Sequence, residues 1–246
     1  MSSEKDGEAF LMARERLKSA RRVLVITGAG MSAESGVPTF RGPGDHWRGR
    51  HFTELANPMA FAKDPQLIWD WYLYRRGIVA QSQPNAGHYA LAQWARSRLD
   101  VTLVTQNVDG LHEQAGHPDV IRFHGSLWHN RCTKCGKERE DRSLEYKRLP
   151  MSRCCRALER PAIVWFYESI PDKAYDAALT DVILAPVVLV IGTSGTVQPA
   201  AGLVDMARSF KQTIITINIA PDSFAPETDI ELREPAAQAL PRLLRF

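Results

Sequence analysis

The sequence has no long apolar run. No stretch stays hydrophobic over the roughly 20 residues that a membrane-crossing helix needs. It also has little net charge: 31 Lys and Arg stand against 28 Asp and Glu, a balance of +3. That is too small an excess to argue for nucleic-acid binding. Only four cysteines occur in 246 residues, so a disulfide framework is excluded. There is no internal repeat and no low-complexity tract. Glu4, Asp6 and Glu8 precede FLMARERLKSARR, which argues against a secretory or transit peptide and favours a surface helix of a cytoplasmic protein. The remaining composition, 44% hydrophobic and 24% charged, is that of a globular chain. Its length allows one large domain, or one domain with an inserted module.

The chain is organised around residues 22–41, RVLVITGAGMSAESGVPTFR. Val23 to Ile26 are apolar without alternation, which predicts a strand buried on both faces, as in a parallel sheet. Gly28-Ala29-Gly30 follows, then Ser32, Ala33 and Ser35, residues suited to opening a helix. A buried strand, a Gly-rich turn and a helix N-terminus together form a phosphate-binding unit. Ala33 stands where a third glycine of GxGxxG would be, so the bare motif is weak.

Further strands are predicted at Val101–Thr105, Val120–Phe123, Ala162–Phe166, Val187–Ile191 and Thr213–Ile217. Helices are predicted at residues 8–20, as two helices within 53–80 interrupted near Pro58 and Pro65, and from His88 to Arg98. Strands alternating with helical spacers indicate an α/β architecture with a mostly parallel sheet. Polar residues collect where these strands end: Gln106-Asn107-Val108-Asp109, His124-Gly125-Ser126, Gly192-Thr193-Ser194 and Asn218. Carboxyl ends of parallel strands are where doubly wound folds place ligands. Each has a plainer use: Asn107 and Asp109 as helix caps, His124 as a structural hydrogen-bonding residue, Gly192–Ser194 as an ordinary turn. Residues 129–160 are basic and poor in aliphatic side chains, and contain Cys132, Cys135, Cys154 and Cys155.

Taken together, GAGMSAESGVPTFRG, TQNVDGLHEQAG, HGS, GTSGTVQPAAG and the Asn218 segment resemble, in order, the signature blocks of the sirtuins, NAD-dependent protein deacylases. The resemblance implies a Rossmann-like parallel-sheet domain with a smaller module. It divides the single catalytic domain into a Rossmann-like part (residues 1–46, 99–128 and 163–246) and a small module (47–98 and 129–162), with NAD between them. It implies that His124 is the general base that activates a ribose hydroxyl, a role suited to an imidazole of pKa ~6.5, with Asn107 beside it. Cofactor contacts would come from Gly28, Ala29, Gly30, Ser32, Ala33, Glu34, Thr39, Phe40, Arg41, Trp47, Gln106, Asn107, Asp109, Gly192, Thr193, Ser194, Asn218, Ala220 and Ala236. Asp109 would anchor the nicotinamide carboxamide and Phe40 would shield the reactive ribose carbon from water. Substrate peptide would pair with Val164, Trp165 and Phe166 by β-augmentation; Tyr167 stands where the family usually has Gly.

Tyr72 and Arg75, i and i+3 in WDWYLYRRGIV, project to one helical face. They resemble the YxxR element of the sirtuin branch that removes succinyl, malonyl and glutaryl groups. Arg can grip a carboxylate bidentately while Tyr donates a hydrogen bond to it. The plain reading is a core Tyr and a solvated Arg.

Cys132 and Cys135, spaced CxxC, with Cys154 and Cys155 suit a structural zinc ion. The second pair is adjacent rather than spaced, and Ser152 occupies the position of the earlier Cys. A four-thiolate site therefore needs a sharp bend, and a three-thiolate site or no zinc are the alternatives. The expected partners are acyl-lysine proteins and NAD, with no nucleic acid and no membrane. Two other functions share these residues: mono-ADP-ribosyl transfer or NAD hydrolysis on the same fold, and NAD binding without catalysis.

Overall fold

The computed structural model describes residues 2–39, 45–98, 100–220 and 228–245. Helix α1 (Ser2–Ser19) leads into β1 (Val23–Thr27) and then a 3₁₀ helix (Ala29–Ser35). The two-residue strands β2 (His46–Trp47) and β3 (Arg50–His51) form a small hairpin. Helices α2 (Phe52–Leu55), α3 (Pro58–Lys63), α4 (Pro65–Gln81) and α5 (Ala86–Ser97) follow, then β4 (Val101–Thr105), α6 (Leu111–Gln114) and β5 (Ile121–Arg122). Next come β6 (Gly125–Cys132), β7 (Glu138–Glu140) and β8 (Glu159–Ile163). The chain closes with α7 (Asp172–Leu184), β9 (Val187–Ile191), α8 (Ala200–Ser209), β10 (Thr213–Ile217), β11 (Ile230–Leu232) and α9 (Ala236–Leu243).

Six strands form one parallel sheet in the order β11-β10-β9-β1-β4-β5. Counting only these strands from the N-terminus, the order is 3-2-1-4-5-6, that of the doubly wound dinucleotide-binding fold. β1 shows why its sequence lacks alternation. Val23 and Val25 enter the hydrophobic cluster formed with α1, α5 and α9. Leu24 and Ile26 enter the opposite cluster, under α7 and α8. Successive side chains point to opposite faces, so a strand covered on both sides needs an apolar residue at every position. β9 repeats the pattern with Val187, Leu189 and Ile191 on one face and Val188 and Val190 on the other.

The smaller part contains α2–α4 and an antiparallel sheet, β7-β6-β8. Three helices stand where the sequence suggests two. Pro58 and Pro65 begin helices rather than interrupt them, each at the first helical position, where the missing N–H costs nothing. Asn57 and Asp64 cap them, accepting from Ala60 N at 2.8 Å and Leu67 N at 2.9 Å. The strand predicted at 162–166 stops at Ile163 and pairs with β6, so it belongs to the smaller sheet. The two parts of the small module are pinned by Arg76 of α4. This fully buried guanidinium donates to Leu127 O, Ser143 O and Asn130 Oδ1 at 2.8–3.0 Å, and lies 3.5 Å from Asp141.

Candidate active site

The sheet changes winding direction between β1 and β9, and there two glycine turns interlock. Gly28 N donates to Ile191 O at 2.9 Å and Gly30 N to Gly192 O at 2.8 Å. A Cβ on Gly30 would lie 2.7 Å from Gly192 Cα, and one on Gly192 only 2.4 Å from Met31 N. Gly192 also has φ +59°. Only glycines allow this approach, and it keeps the mouth of the crevice lined by backbone. The segment after Gly28 is a 3₁₀ helix rather than the opening of an α-helix, and Gly36 ends it in the left-handed conformation. Gln106 Nε2 donates to Thr193 Oγ1 at 3.1 Å, and Asn218 Nδ2 to Thr193 O at 2.9 Å. The predicted residues at the ends of β1, β4, β9 and β10 therefore converge on one crevice, of the kind that accepts a dinucleotide in this topology.

Ser32 is the hub of its deeper end. Its hydroxyl donates to Asp109 Oδ2 at 2.8 Å and accepts from Asn107 Nδ2 at 3.1 Å. His88 Nε2 lies 3.5 Å away. Asn85 N donates to His88 Nδ1, which places the ring proton on Nε2 and makes it a donor to Ser32. Burial depresses His88 to about 4, so the ring is neutral. Asp109 also accepts from Leu111 N at 2.9 Å, a turn just ahead of α6, whose N-cap is Gly110 and not Asp109 as the capping reading expected. Its burial pushes the carboxyl up. His88 is the member that sequence reasoning missed. Its spacing from Asn85 signals a helix start; its approach to Ser32, 56 residues away, is tertiary.

His124 sits between β5 and β6. Its Nδ1 lies 3.1 Å from Gln106 O. A carbonyl only accepts, so Nδ1 carries the proton and Nε2 keeps a lone pair. Burial lowers the imidazole pKa, which keeps that lone pair free at neutral pH. His124 O accepts from Val164 N at 3.0 Å, and the next residue, Trp165, donates from its indole to Tyr72 Oη at 2.7 Å. One short path thus joins the imidazole-bearing residue to the Tyr72/Arg75 face. Tyr72 is buried, which raises its phenol to about 12. Arg75 is half-buried, with Tyr72 and Asp109 as its electrostatic neighbours, and burial lowers its guanidinium from the usual value. Its guanidinium lies 5.4 Å over the Trp71 ring.

Segment 164–168 turns rather than running on as an extended edge. Val164 N, Trp165 N and Phe166 N all have partners in the chain, His124 O, Glu168 Oε2 and Ala56 O. The three N–H groups expected to pair with substrate by β-augmentation are thus engaged within the chain. Tyr167 adopts φ +70° and is 85% exposed. Trp47 packs against the small-module core, 6.1 Å from Tyr74. Glu34 accepts from Ala237 N at 2.8 Å, which joins it to the Ala236 helix start rather than leaving it free. Ala29 and Ala33 lie in the 3₁₀ helix after β1, Ser194 just beyond β9, Ala220 just beyond β10, and Thr39 at the edge of the described loop. Phe40 and Arg41 fall outside the described residues.

The cysteines form a separate centre. All four sulfurs lie within 4.8 Å of one another. Zinc–sulfur bonds of ~2.3 Å place tetrahedral sulfurs roughly 3.8 Å apart, so the donor set fits zinc despite the adjacent Cys154 and Cys155. Hydrogen bonding with Ser152, at 3.1 Å, holds Cys132 down to about 6. Crowding by Cys135 and Cys154 pushes Cys155 up to about 12, as expected where several sulfurs converge on one point. Cys132 closes β6 and His124 precedes it; at ~3.3 Å per residue the two are on the order of 20 Å apart. A metal here supports the module and takes no part at the crevice.

The model of the Sir2 family matches residues 28–199. "NAD-dependent protein deacylase 2" of Pyrobaculum aerophilum is 44% identical over 229 residues, 93% of this chain and 92% of its own. A solved complex of a Sir2 homolog with NAD superposes with a TM-score of 0.90 at 41% identity, covering 95% of this chain and 92% of the other. A Sir2–p53 peptide–NAD⁺ complex superposes with a TM-score of 0.84 at 27% identity, over 96% and 95%.

Proposed function

The chain belongs to the Sir2 family, and from that premise we propose that it is an NAD-dependent protein-lysine deacylase of the cytoplasm that favours succinyl, malonyl and glutaryl groups. Its relatives' names and the crevice between Gly28 and Gly192 support NAD as the co-substrate. The observation that carries the acyl preference is Arg75, a half-buried cation on the helical face of Tyr72, whose hydroxyl is one hydrogen-bonded step from the His124 segment. Burying a carboxylate without a partner is costly, so a pocket with a cation and a phenol selects an acyl chain ending in one.

NAD, when bound, supplies the ribose that accepts the acyl group after nicotinamide leaves. Ser32, Asn107 and Asp109 present a hydroxyl, an amide and a carboxyl group to the nicotinamide end of the crevice. Thr193 and Asn218 serve the adenosine end, and Gly28 and Gly30 the phosphates. His124 Nε2 takes a proton from a ribose hydroxyl, and the resulting imidazolium is stabilised through Nδ1–H by Gln106 O.

The test is turnover on acetyl-, malonyl-, succinyl- and glutaryl-lysine peptides of one sequence, with NAD, following nicotinamide and deacylated peptide together. Higher kcat/KM on the three acidic groups is expected. A preference for acetyl would overturn the acyl assignment. NAD consumption that ignores the peptide would instead favour a hydrolase.

A further inference from the structure

Trp165 and Tyr72 are 93 residues apart and meet at 2.7 Å, indole Nε1 to phenol oxygen. Both are buried, at 3% and 1% exposure. An indole N–H can only donate, so the Tyr72 oxygen is the acceptor and its own hydrogen must point elsewhere. A phenolic O–H lies near the plane of its ring and turns away from a donor on the same oxygen, so the indole biases its direction. Among the described residues no acceptor receives the Tyr72 O–H, and its charged neighbour, Arg75, is itself only a donor. A buried donor beside a cation is suited to an acceptor brought by a ligand.

Trp165 is itself held from every side. The Arg160 guanidinium lies 3.4 Å over its ring. Glu168 binds that guanidinium through both carboxylate oxygens and also accepts from Trp165 N at 2.9 Å. Phe61 packs 5.3 Å away between centroids, and Tyr72 stacks at 6.3 Å with 28° between the planes. Val164, the preceding residue, is bonded to His124 O. The indole N–H is thereby fixed relative to the catalytic imidazole.

We propose that Trp165 is a positioning residue that commits the Tyr72 hydroxyl to donate into the acyl pocket, so that Tyr72 and Arg75 together hold the distal carboxylate of the acyl chain. This rests on the acidic-acyl reading above. Arg75 supplies attraction to any carboxylate; the directed hydroxyl adds a fixed point that the chain's end must reach. Accepting from the indole also polarises the phenol and makes it a stronger donor.

The experiment is a double-mutant cycle of Trp165→Phe and Tyr72→Phe, with kcat and KM measured separately on succinyl- and acetyl-peptides of one sequence. Trp165→Phe should raise KM for the succinyl peptide about three- to tenfold, the scale of one weakened hydrogen bond to a charged group, with kcat nearly unchanged. Acetyl turnover should stay within about twofold. In the Tyr72→Phe background the same change should have no further effect on the succinyl-to-acetyl ratio. Equal losses on both peptides, or a loss that persists without the Tyr72 hydroxyl, would overturn the proposal. If Trp165→Phe does not fold, benzothienylalanine placed at position 165 removes the N–H and keeps the ring shape, with the same expectations. Arg75→Met separates the two ideas. A succinyl-specific loss there with no effect at Trp165 sinks the positioning role alone; no succinyl-specific loss in either variant sinks both.

Discussion

His124 Nδ1 donates to the carbonyl of Gln106 at 3.1 Å, and that bond fixes which nitrogen is the base. The imidazole reaches the crevice as a neutral Nε2 acceptor because β4 ends where Gln106 can hold its other side. His124→Ala should lower kcat/KM by about 10²-fold or more, while NAD binding by calorimetry survives. Burial depresses this imidazole, so the base stays unprotonated further into acid than a free histidine of pKa ~6.5. The acid limb of kcat/KM for the free enzyme should therefore lie below that value; an acid limb above pH ~7 would contradict the assignment.

Gly192→Ala should abolish cofactor binding, because its Cβ would fall 2.4 Å from Met31 N and 2.5 Å from Gly30 C, with φ already at +59°. No flexible side chain can yield there. Gly36→Ala, at φ +84° with open space around it, is the control: it should cost about 1 kcal/mol of stability and leave the affinity for NAD near that of the parent. Calorimetric titration of both variants, with thermal melts, makes the comparison.

Arg75→Met should reduce desuccinylation by about 30-fold or more, the scale for removing the partner of a desolvated charge. Deacetylation should stay level or improve, because a neutral acetyl group makes no use of the guanidinium. Tyr72→Phe should do the same more weakly. Matched peptides report the ratio directly, and equal losses on both would mean that the pair only supports the pocket wall.

Metal analysis should find about one zinc per chain, and chelation should lower the melting temperature. Cys154→Ser and Cys155→Ser should each weaken zinc binding in a competition titration if both adjacent thiolates are ligands. A variant at either position that keeps full affinity would reduce the site to three thiolates.

Stability should fall as pH drops from about 6.5 towards 4. Burial holds His88 at about 4 and lowers His112 and His117 as well. In that window the unfolded chain binds protons that the folded chain refuses, so unfolding is favoured as acid is added. Asp109, whose pKa burial raises, works in the opposite direction. It is one carboxyl against five imidazoles, since burial lowers His124 and His129 as well. Melting temperatures across pH 4–8 check the slope, and His112→Gln should flatten it.

Residues 22–36 and the ends of Val101–Thr105, Val187–Ile191 and Thr213–Ile217 were legible from sequence because their determinants are local. A strand covered on both faces must be apolar at every position, and a turn that approaches another backbone must be glycine. The zinc-ready cysteines were half legible. Cys132 and Cys135 announce themselves by spacing, whereas the convergence of Cys154 and Cys155 depends on the turn that Ser152 closes through Ala157. The short strand Ile230–Leu232 carries too little pattern to find and exists through its pairing with Ile215–Ile217. What only the tertiary structure decided are the long-range contacts: His88 beside Ser32, the tautomer of His124, the turn at Phe166–Tyr167, and the indole of Trp165 on the hydroxyl of Tyr72. Each joins groups tens of residues apart, or takes its direction from a hydrogen bond across such a gap. Periodicity records which face of an element is apolar; it does not record which polar atom another element will bring to meet it.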